Sequence, residues 1–268
     1  MVGGKIQMMH GLNNTYLYAA KKIVAKWTNG NELIDITGTG FIILKNDNCY
    51  LITNRHIVEP AYLNVKYSDY KVIDFAIEYF EDTDDIGIPI IYKHTLITNW
   101  NEFKFHQNIY NDVACLKSPK TKDGMSIFAA IPYNMLATET WFNQKLSVCD
   151  SIAYTGFPAW YDKQNNTPIF RMGTIASDPR LNYSYVPGAP VASRVAYEGF
   201  STSGASGSPI FAIQRGFQTS GIIQSTEGFY REVKLIGINA GHFRDQEGHS
   251  GISYFYKSSV ILDLIDSF

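Results

Sequence analysis

The order of three short motifs is the feature that most constrains the fold of this chain. His56 closes an apolar segment in Thr53-Asn54-Arg55-His56-Ile57-Val58, and Asp112 opens another in Asn111-Asp112-Val113-Ala114-Cys115-Leu116. Ser206 follows much later, between glycines, in Gly204-Ala205-Ser206-Gly207-Ser208-Pro209. A histidine, an aspartate and a serine in this chain order are one of the few known arrangements of a Ser-His-Asp set, and the order favours two β-barrels.

The residue types fit nucleophilic catalysis. A serine hydroxyl is a weak nucleophile at neutral pH, and a histidine with a near-neutral pKa is a suitable base for it. An aspartate can fix the histidine tautomer, and Gly204 can adopt a tight turn that aims backbone N–H groups at a developing oxyanion. Taken singly, each motif has a plainer interpretation: Gly-x-Ser-Gly is a common turn, His56 could be a core histidine, and Asp112 could begin a strand or turn.

Apolar segments alternate with turn residues in the first half of the chain. Gly38–Ile43 and Cys49–Thr53 are predicted strands joined by the turn residues Asn46-Asp47-Asn48, so that His56 lies where the second strand ends. Apolar residues recur at helical spacing between Asn13 and Trp27, which predicts a short helix that packs on the strands or holds a protein partner. Residues 258–265 are predicted to form an amphipathic terminal helix.

Five motifs, in order, resemble those of trypsin-like (chymotrypsin-fold) serine peptidases of the disulfide-free, HtrA-like branch. They are Gly38-Thr39-Gly40-Phe41 with Leu51–Val58, Asp112–Lys117, Tyr154–Pro158 with Met172–Ile175, Gly204–Phe211, and Leu235–Ala240. The resemblance runs from about Gly38 to Tyr256. It implies an all-β fold of two antiparallel six-stranded β-barrels with short N- and C-terminal helices.

The resemblance also implies a domain organisation. Residues 1–28 are expected to be an N-terminal helical extension, and residues 29–268 the double-barrel protease domain. The first barrel is expected at about 29–120, the second at about 145–256 and the C-terminal helix at about 258–267. We expect no PDZ-like segment after the protease domain.

Site residues follow from the same resemblance. His56, Asp112 and Ser206 are expected to form the catalytic triad, and the N–H groups of Gly204 and Ser206 the oxyanion hole. The substrate-binding residues are expected to be Phe200, Asn239, Ala240, Gly241 and His242, with His242 favoured as an exposed loop residue.

The resemblance also indicates which substrate residue the protein should prefer before the scissile bond, because the base of the binding pocket selects that side chain. No acidic residue stands at the pocket-base position near Phe200, so we expect an uncharged, apolar residue before the scissile bond. Glu198 is the acidic exception nearby.

Composition limits the remaining classes. Hydrophobic residues are 45% and charged residues 18% of 268, which is typical of a chain with a buried core. The net charge of −2 and the lack of a long apolar run lead us to expect no nucleic-acid and no membrane partner. Cys49, Cys115 and Cys149 do not suggest a disulfide framework, and none has metal-ligand spacing with a histidine, so no metal or cofactor is expected.

The N-terminal sequence lacks a secretory signal, so a cytoplasmic location is expected.

These observations predict a serine endopeptidase that cleaves protein or peptide substrates through an acyl-enzyme. A regulatory protein partner could bind the N-terminal helix or surface loops. The alternative is a catalytically weak, protease-like module that binds peptides by strand addition. An esterase fits the nucleophile but not the chain order of the α/β-hydrolases.

Overall fold

The computed structural model describes residue 12 and residues 14–81, 90–97, 102–121, 130–216, 230–245 and 248–268. The described α-helices are short: α1 Arg55–Val58, α2 Pro60–Leu63, α3 Glu139–Lys145 and α4 Ser258–Asp266. Turns of 3₁₀ helix span Asn14–Ala19, Val65–Tyr67 and Tyr133–Met135. None of the described helices has the length and apolar character needed to cross a bilayer.

The first half of the chain forms a nine-stranded sheet. Eight strands lie in the order β6-β7-β3-β2-β1-β4-β5-β8, and β9 pairs with β2. The bounds are β1 Ala20–Thr28, β2 Leu33–Lys45, β3 Asn48–Thr53, β4 Lys71–Glu81, β5 Ile90–Ile97, β6 Phe103–Phe105, β7 Ala114–Lys117, β8 Lys120–Thr121 and β9 Ile131–Pro132.

The predicted all-β fold is confirmed. Within it, the first half is an open sheet of nine strands in the described part of the chain rather than a closed barrel of six. Its edge strands β6 and β8 have three and two residues and do not pair with each other in the described part of the chain. Edges this short offer few backbone groups with which to close a ring.

The predicted helix between Asn13 and Trp27 is wrong beyond Ala19. Residues 20–28 form β1, a central strand that pairs with β2 on one side and β4 on the other. Ile23, Ala25 and Trp27 are fully buried and alternate with partly exposed neighbours, which is the period of two expected for a strand. The boundary at residues 28/29 is therefore also wrong, because β1 belongs to the first sheet.

The second half forms the expected closed barrel of six antiparallel strands, in the order β10-β11-β12-β15-β14-β13. Their bounds are β10 Ser151–Gly156, β11 Ile169–Ile175, β12 Arg194–Glu198, β13 Pro209–Ala212, β14 Lys234–Asp245 and β15 Gly248–Lys257. The predicted C-terminal helix is present as α4.

A shared core joins the two halves. Phe41 and Ile52 from the first sheet pack in one cluster with Phe211 from the second barrel and with Val260 and Ile261 from α4. Because α4 contributes to this cluster, the chain terminus helps to fix how the halves meet. The 3₁₀ turn before β1 packs on the second barrel, where the Tyr16 and Phe211 ring centroids are 5.2 Å apart.

Candidate active site

His56 and Asp112 are brought together by the pairing of β3 with β7. Thr53, the last residue of β3, lies opposite Ala114, the first residue of β7. The segments just beyond these ends carry His56, in α1, and Asp112. Buried Asn54 stabilises the junction, because its side-chain amide donates to the Asp112 carbonyl oxygen at 2.7 Å.

Both carboxylate oxygens of Asp112 engage His56. Oδ1 accepts from the His56 backbone N–H at 2.9 Å, and Oδ2 lies 2.6 Å from His56 Nδ1. Burial disfavours the imidazolium and is the largest influence on the pKa of His56. The charge and the hydrogen bond of Asp112 together outweigh burial, so the pKa is raised from its ordinary 6.5.

Ser206 lies in the loop between β12 and β13. Two glycines with positive φ shape this loop: Gly204 at 88° and Gly207 at 87°. A Cβ on Gly204 would lie 2.2 Å from the Phe157 carbonyl oxygen, so the close approach of backbone requires glycine. The N–H groups of Gly204 and Ser206 donate to no acceptor among the described residues, which leaves both available to a ligand.

His56, Asp112 and Ser206 line one cavity of about 380 Å³. The Ser206 hydroxyl donates to the Ala240 carbonyl oxygen at 3.4 Å and makes no hydrogen bond to His56 in this conformation. The other lining residues are Tyr62, Ser201, Thr202, Ser203, Ala240, Gly241, His242, Arg244, Tyr254 and Tyr256. Burial, followed by the charge of Asp112, raises the pKa of Tyr62 and of Tyr256, so both phenols are neutral.

Solved structures with similar folds are serine proteases. The HtrA-type protease AlgW, solved with a tripeptide, is 14% identical with a TM-score of 0.55, over 94% of this chain and 60% of that one. Protease Anisep from Arthrobacter nicotinovorans is 14% identical with a TM-score of 0.55, and the match covers 96% of this chain and 98% of that one. The thermostable serine protease AL20 from an extremophilic microorganism is 13% identical with a TM-score of 0.55, and the match covers 94% of this chain and 97% of that one.

The fold is that of the trypsin-like serine proteases. This chain spans about 60% of the length of the AlgW chain. Neither a family model nor a curated protein matches the sequence.

Within this trypsin-like fold, the predicted substrate-binding residues divide into two groups. Ala240, Gly241 and His242 line the cavity, and His242 lies on β14 rather than on the exposed loop that the sequence favoured. Phe200 and Asn239 do not line it. Phe200 is 60% exposed, and its backbone carbonyl accepts from the Tyr154 hydroxyl at 2.8 Å.

Asn239 has a supporting position instead. It is fully buried, and its amide nitrogen donates to the Ala205 carbonyl oxygen and to the Ser201 hydroxyl, both at 2.8 Å. Its amide oxygen accepts from the Tyr197 hydroxyl at 2.8 Å. These bonds hold the loop that carries Ser206, so Asn239 stabilises the loop without lining the cavity.

Several lining residues were missed by sequence reasoning. Arg244 follows His242 by two residues on the same strand, and a period of two could have placed both side chains on one face. Tyr62 lies in α2, one short helix after His56, and carries no comparable signal. Among the described residues, no three His, Cys, Asp or Glu side chains come together as metal ligands.

Thr39, on β2, links the two halves at the nucleophile loop. Its N–H donates to the Ser206 carbonyl oxygen at 2.8 Å, and its hydroxyl donates to the Gly204 carbonyl oxygen at 2.8 Å. The same hydroxyl accepts from the Phe157 N–H at 3.1 Å. Thr39 is fully buried, so these bonds are shielded from water.

We expect Thr39→Val to lower the free energy of unfolding by about 1–3 kcal/mol, because it leaves buried backbone groups of Gly204 and Phe157 unpaired. Urea denaturation measures this change. Thr37→Val is the matched control on the same strand, where the side chain is exposed, and we expect a change within about 0.5 kcal/mol. Equal effects of the two substitutions would contradict the bridging role of Thr39.

Proposed function

We propose that this protein is a serine endopeptidase that hydrolyses peptide bonds through His56, Asp112 and Ser206. One observation carries the proposal: the His56–Asp112 pair and the Ser206 hydroxyl line the same cavity, next to a loop with two unengaged backbone N–H groups. The similar folds of known serine proteases support it. Peptides are the proposed substrates because the AlgW structure is described with a tripeptide.

The proposed reaction begins when the Ser206 hydroxyl turns from the Ala240 carbonyl oxygen to His56 Nε2. His56 takes the hydroxyl proton as Ser206 Oγ attacks the peptide carbonyl, and Asp112 stabilises the imidazolium. The N–H groups of Gly204 and Ser206 would hold the oxyanion. His56 then gives its proton to the leaving amine, and water hydrolyses the acyl-enzyme by the same route.

A fluorophosphonate probe tests the nucleophile directly, because it reacts covalently with activated serines. We expect the probe to label Ser206, as identified by mass spectrometry, and labelling to slow when a peptide substrate competes. Ser184→Ala removes an exposed loop serine outside the cavity and should not change labelling. An unlabelled Ser206 in folded protein would refute the proposal.

The alternative, a module that binds peptides without cutting them, keeps one supporting observation: Ser206 is not hydrogen-bonded to His56 in this structure. Catalytic hydrogen bonds are often absent before substrate binds, so this geometry does not exclude catalysis. Peptide binding by an unlabelled protein would favour the module. A cytoplasmic location and a regulatory partner stay predictions from the sequence.

We expect kcat/KM to rise with pH, because His56 must be neutral to accept the Ser206 proton. The pKa of His56 is raised, so the midpoint of the rise should lie above 6.5. Initial rates on fluorescein-labelled casein from about pH 5 to pH 9 measure this midpoint. A flat profile across the histidine range, with chemistry rate-limiting, would argue against His56 as the base.

A further inference from the structure

The cavity at Ser206 has a polar, cationic lining. Besides His56, it contains the basic side chains of His242 and Arg244 and the hydroxyl groups of Ser201, Thr202 and Ser203. Asp112 is the one carboxylate in the lining formed by the described residues, and both of its oxygens face His56. Such a lining does not suit the uncharged, apolar substrate residue that the sequence predicted.

Arg244 has unused hydrogen-bonding capacity. Its Nε donates to His242 Nε2 at 3.2 Å, and it forms no ion pair within the described part of the chain. A guanidinium has five N–H donors, so the four on the two terminal nitrogens are not used by any described residue.

Thr202 supplies a second, independent observation. Its hydroxyl oxygen is buried and has no hydrogen-bond partner among the described residues, although Thr202 lines the cavity. Buried polar atoms nearly always have a partner. A ligand that carries hydrogen-bond acceptors would supply one here.

Glu198, the acidic residue near the expected pocket base, does not line the cavity. Glu198 ends β12 with an exposed side chain and is absent from the lining. A Lys or Arg side chain entering the cavity would meet the positive charge of Arg244. An apolar side chain would leave the buried Thr202 hydroxyl without a partner.

We propose that the cavity binds an acidic side chain, glutamate or aspartate, from the residue immediately before the scissile bond. The substrate carboxylate pairs with the terminal nitrogens of Arg244 and accepts from the Thr202 hydroxyl. Such charge-assisted hydrogen bonds are about twice as strong as neutral ones. This inference rests on the proposed peptidase function, because it assigns the specificity of the same site.

The test compares two fluorogenic tetrapeptide amides that differ only in a final Glu or Gln, together with a proteome-derived peptide library whose cleavage sites are mapped by mass spectrometry. We expect kcat/KM for the Glu peptide to exceed that for the Gln peptide by about tenfold or more, as one charge-assisted pair predicts. Acidic residues should dominate the library at this position. Added salt should reduce the ratio, since Arg244 is exposed.

Arg244→Gln should bring the Glu-to-Gln ratio close to one. Arg180→Gln is the matched control: it removes the same charge from an exposed position outside the cavity, where Arg180 pairs with Asp178. This control should keep the wild-type ratio. Labelling of each variant by the fluorophosphonate probe verifies that the nucleophile is intact.

The outcomes separate the two proposals. Normal labelling of Ser206 with cleavage mainly after apolar or basic residues overturns the acidic preference and leaves the peptidase function standing. An acidic preference that Arg244→Gln does not reduce overturns the assignment to Arg244. Absence of labelling and of cleavage overturns both proposals.

Discussion

Ser206→Ala should reduce the turnover of casein by about 10⁴-fold to 10⁶-fold, because it removes the proposed nucleophile. The Ser206 hydroxyl makes only a 3.4 Å contact with the Ala240 carbonyl oxygen, so its loss should change the free energy of unfolding by less than about 0.5 kcal/mol. Single-turnover assays and urea denaturation of the same preparation measure the two quantities.

Peptide binding distinguishes the two functions proposed for the fold. A peptidase in which Ser206→Ala is inactive should bind an uncleaved peptide with similar affinity, as measured by fluorescence anisotropy. Full activity in the variant would show that another group is the nucleophile. Binding without cleavage in the wild-type protein would identify the peptide-binding module.

Asp112→Asn should reduce turnover by about 10⁴-fold, because an amide can turn its NH₂ group to His56 Nδ1 and so favour the wrong tautomer. It also removes the charge that raises the pKa of His56, while burial, which lowers that pKa, remains. The residual activity should therefore rise with pH at a lower midpoint than in the wild-type protein. Stopped-flow assays across the pH range measure both effects.

Asp178→Asn is the matched control for this prediction. Asp178 forms a surface ion pair with Arg180 outside the cavity, and its substitution should leave the pH profile unchanged. An Asp112→Asn variant that loses activity by unfolding would show the loss in its circular dichroism spectrum. A folded variant with activity within tenfold of wild type would contradict the orienting role.

Much of the site could be predicted because its information is local. Asn46 and Asp47 form a two-residue turn with positive φ at both positions, so the hairpin of β2 and β3 is specified by adjacent residues. That hairpin places His56 at a strand end. The glycines around Ser206 likewise specify a tight loop from a few neighbouring residues.

The parts that could not be predicted depend on distant contacts. Residues 20–28 have a mixed apolar pattern, and pairing with β2 and β4 on both sides decides that they form a strand. Phe200 is exposed and does not line the cavity, while its carbonyl accepts from Tyr154, which a distant strand supplies. The bridging role of Thr39 and the presence of Arg244 in the cavity likewise follow from how two sheets meet.

The division of the site between two sheets has a consequence for the molecule as a whole. His56 and Asp112 lie next to strands β3 and β7 of the first sheet, and Ser206 lies in a loop of the second barrel. Thr39 and α4 join the two halves. A small rotation at this junction would separate nucleophile from base while each half kept its own core. If the protein is the proposed peptidase, a partly opened or incompletely assembled molecule would therefore be inactive.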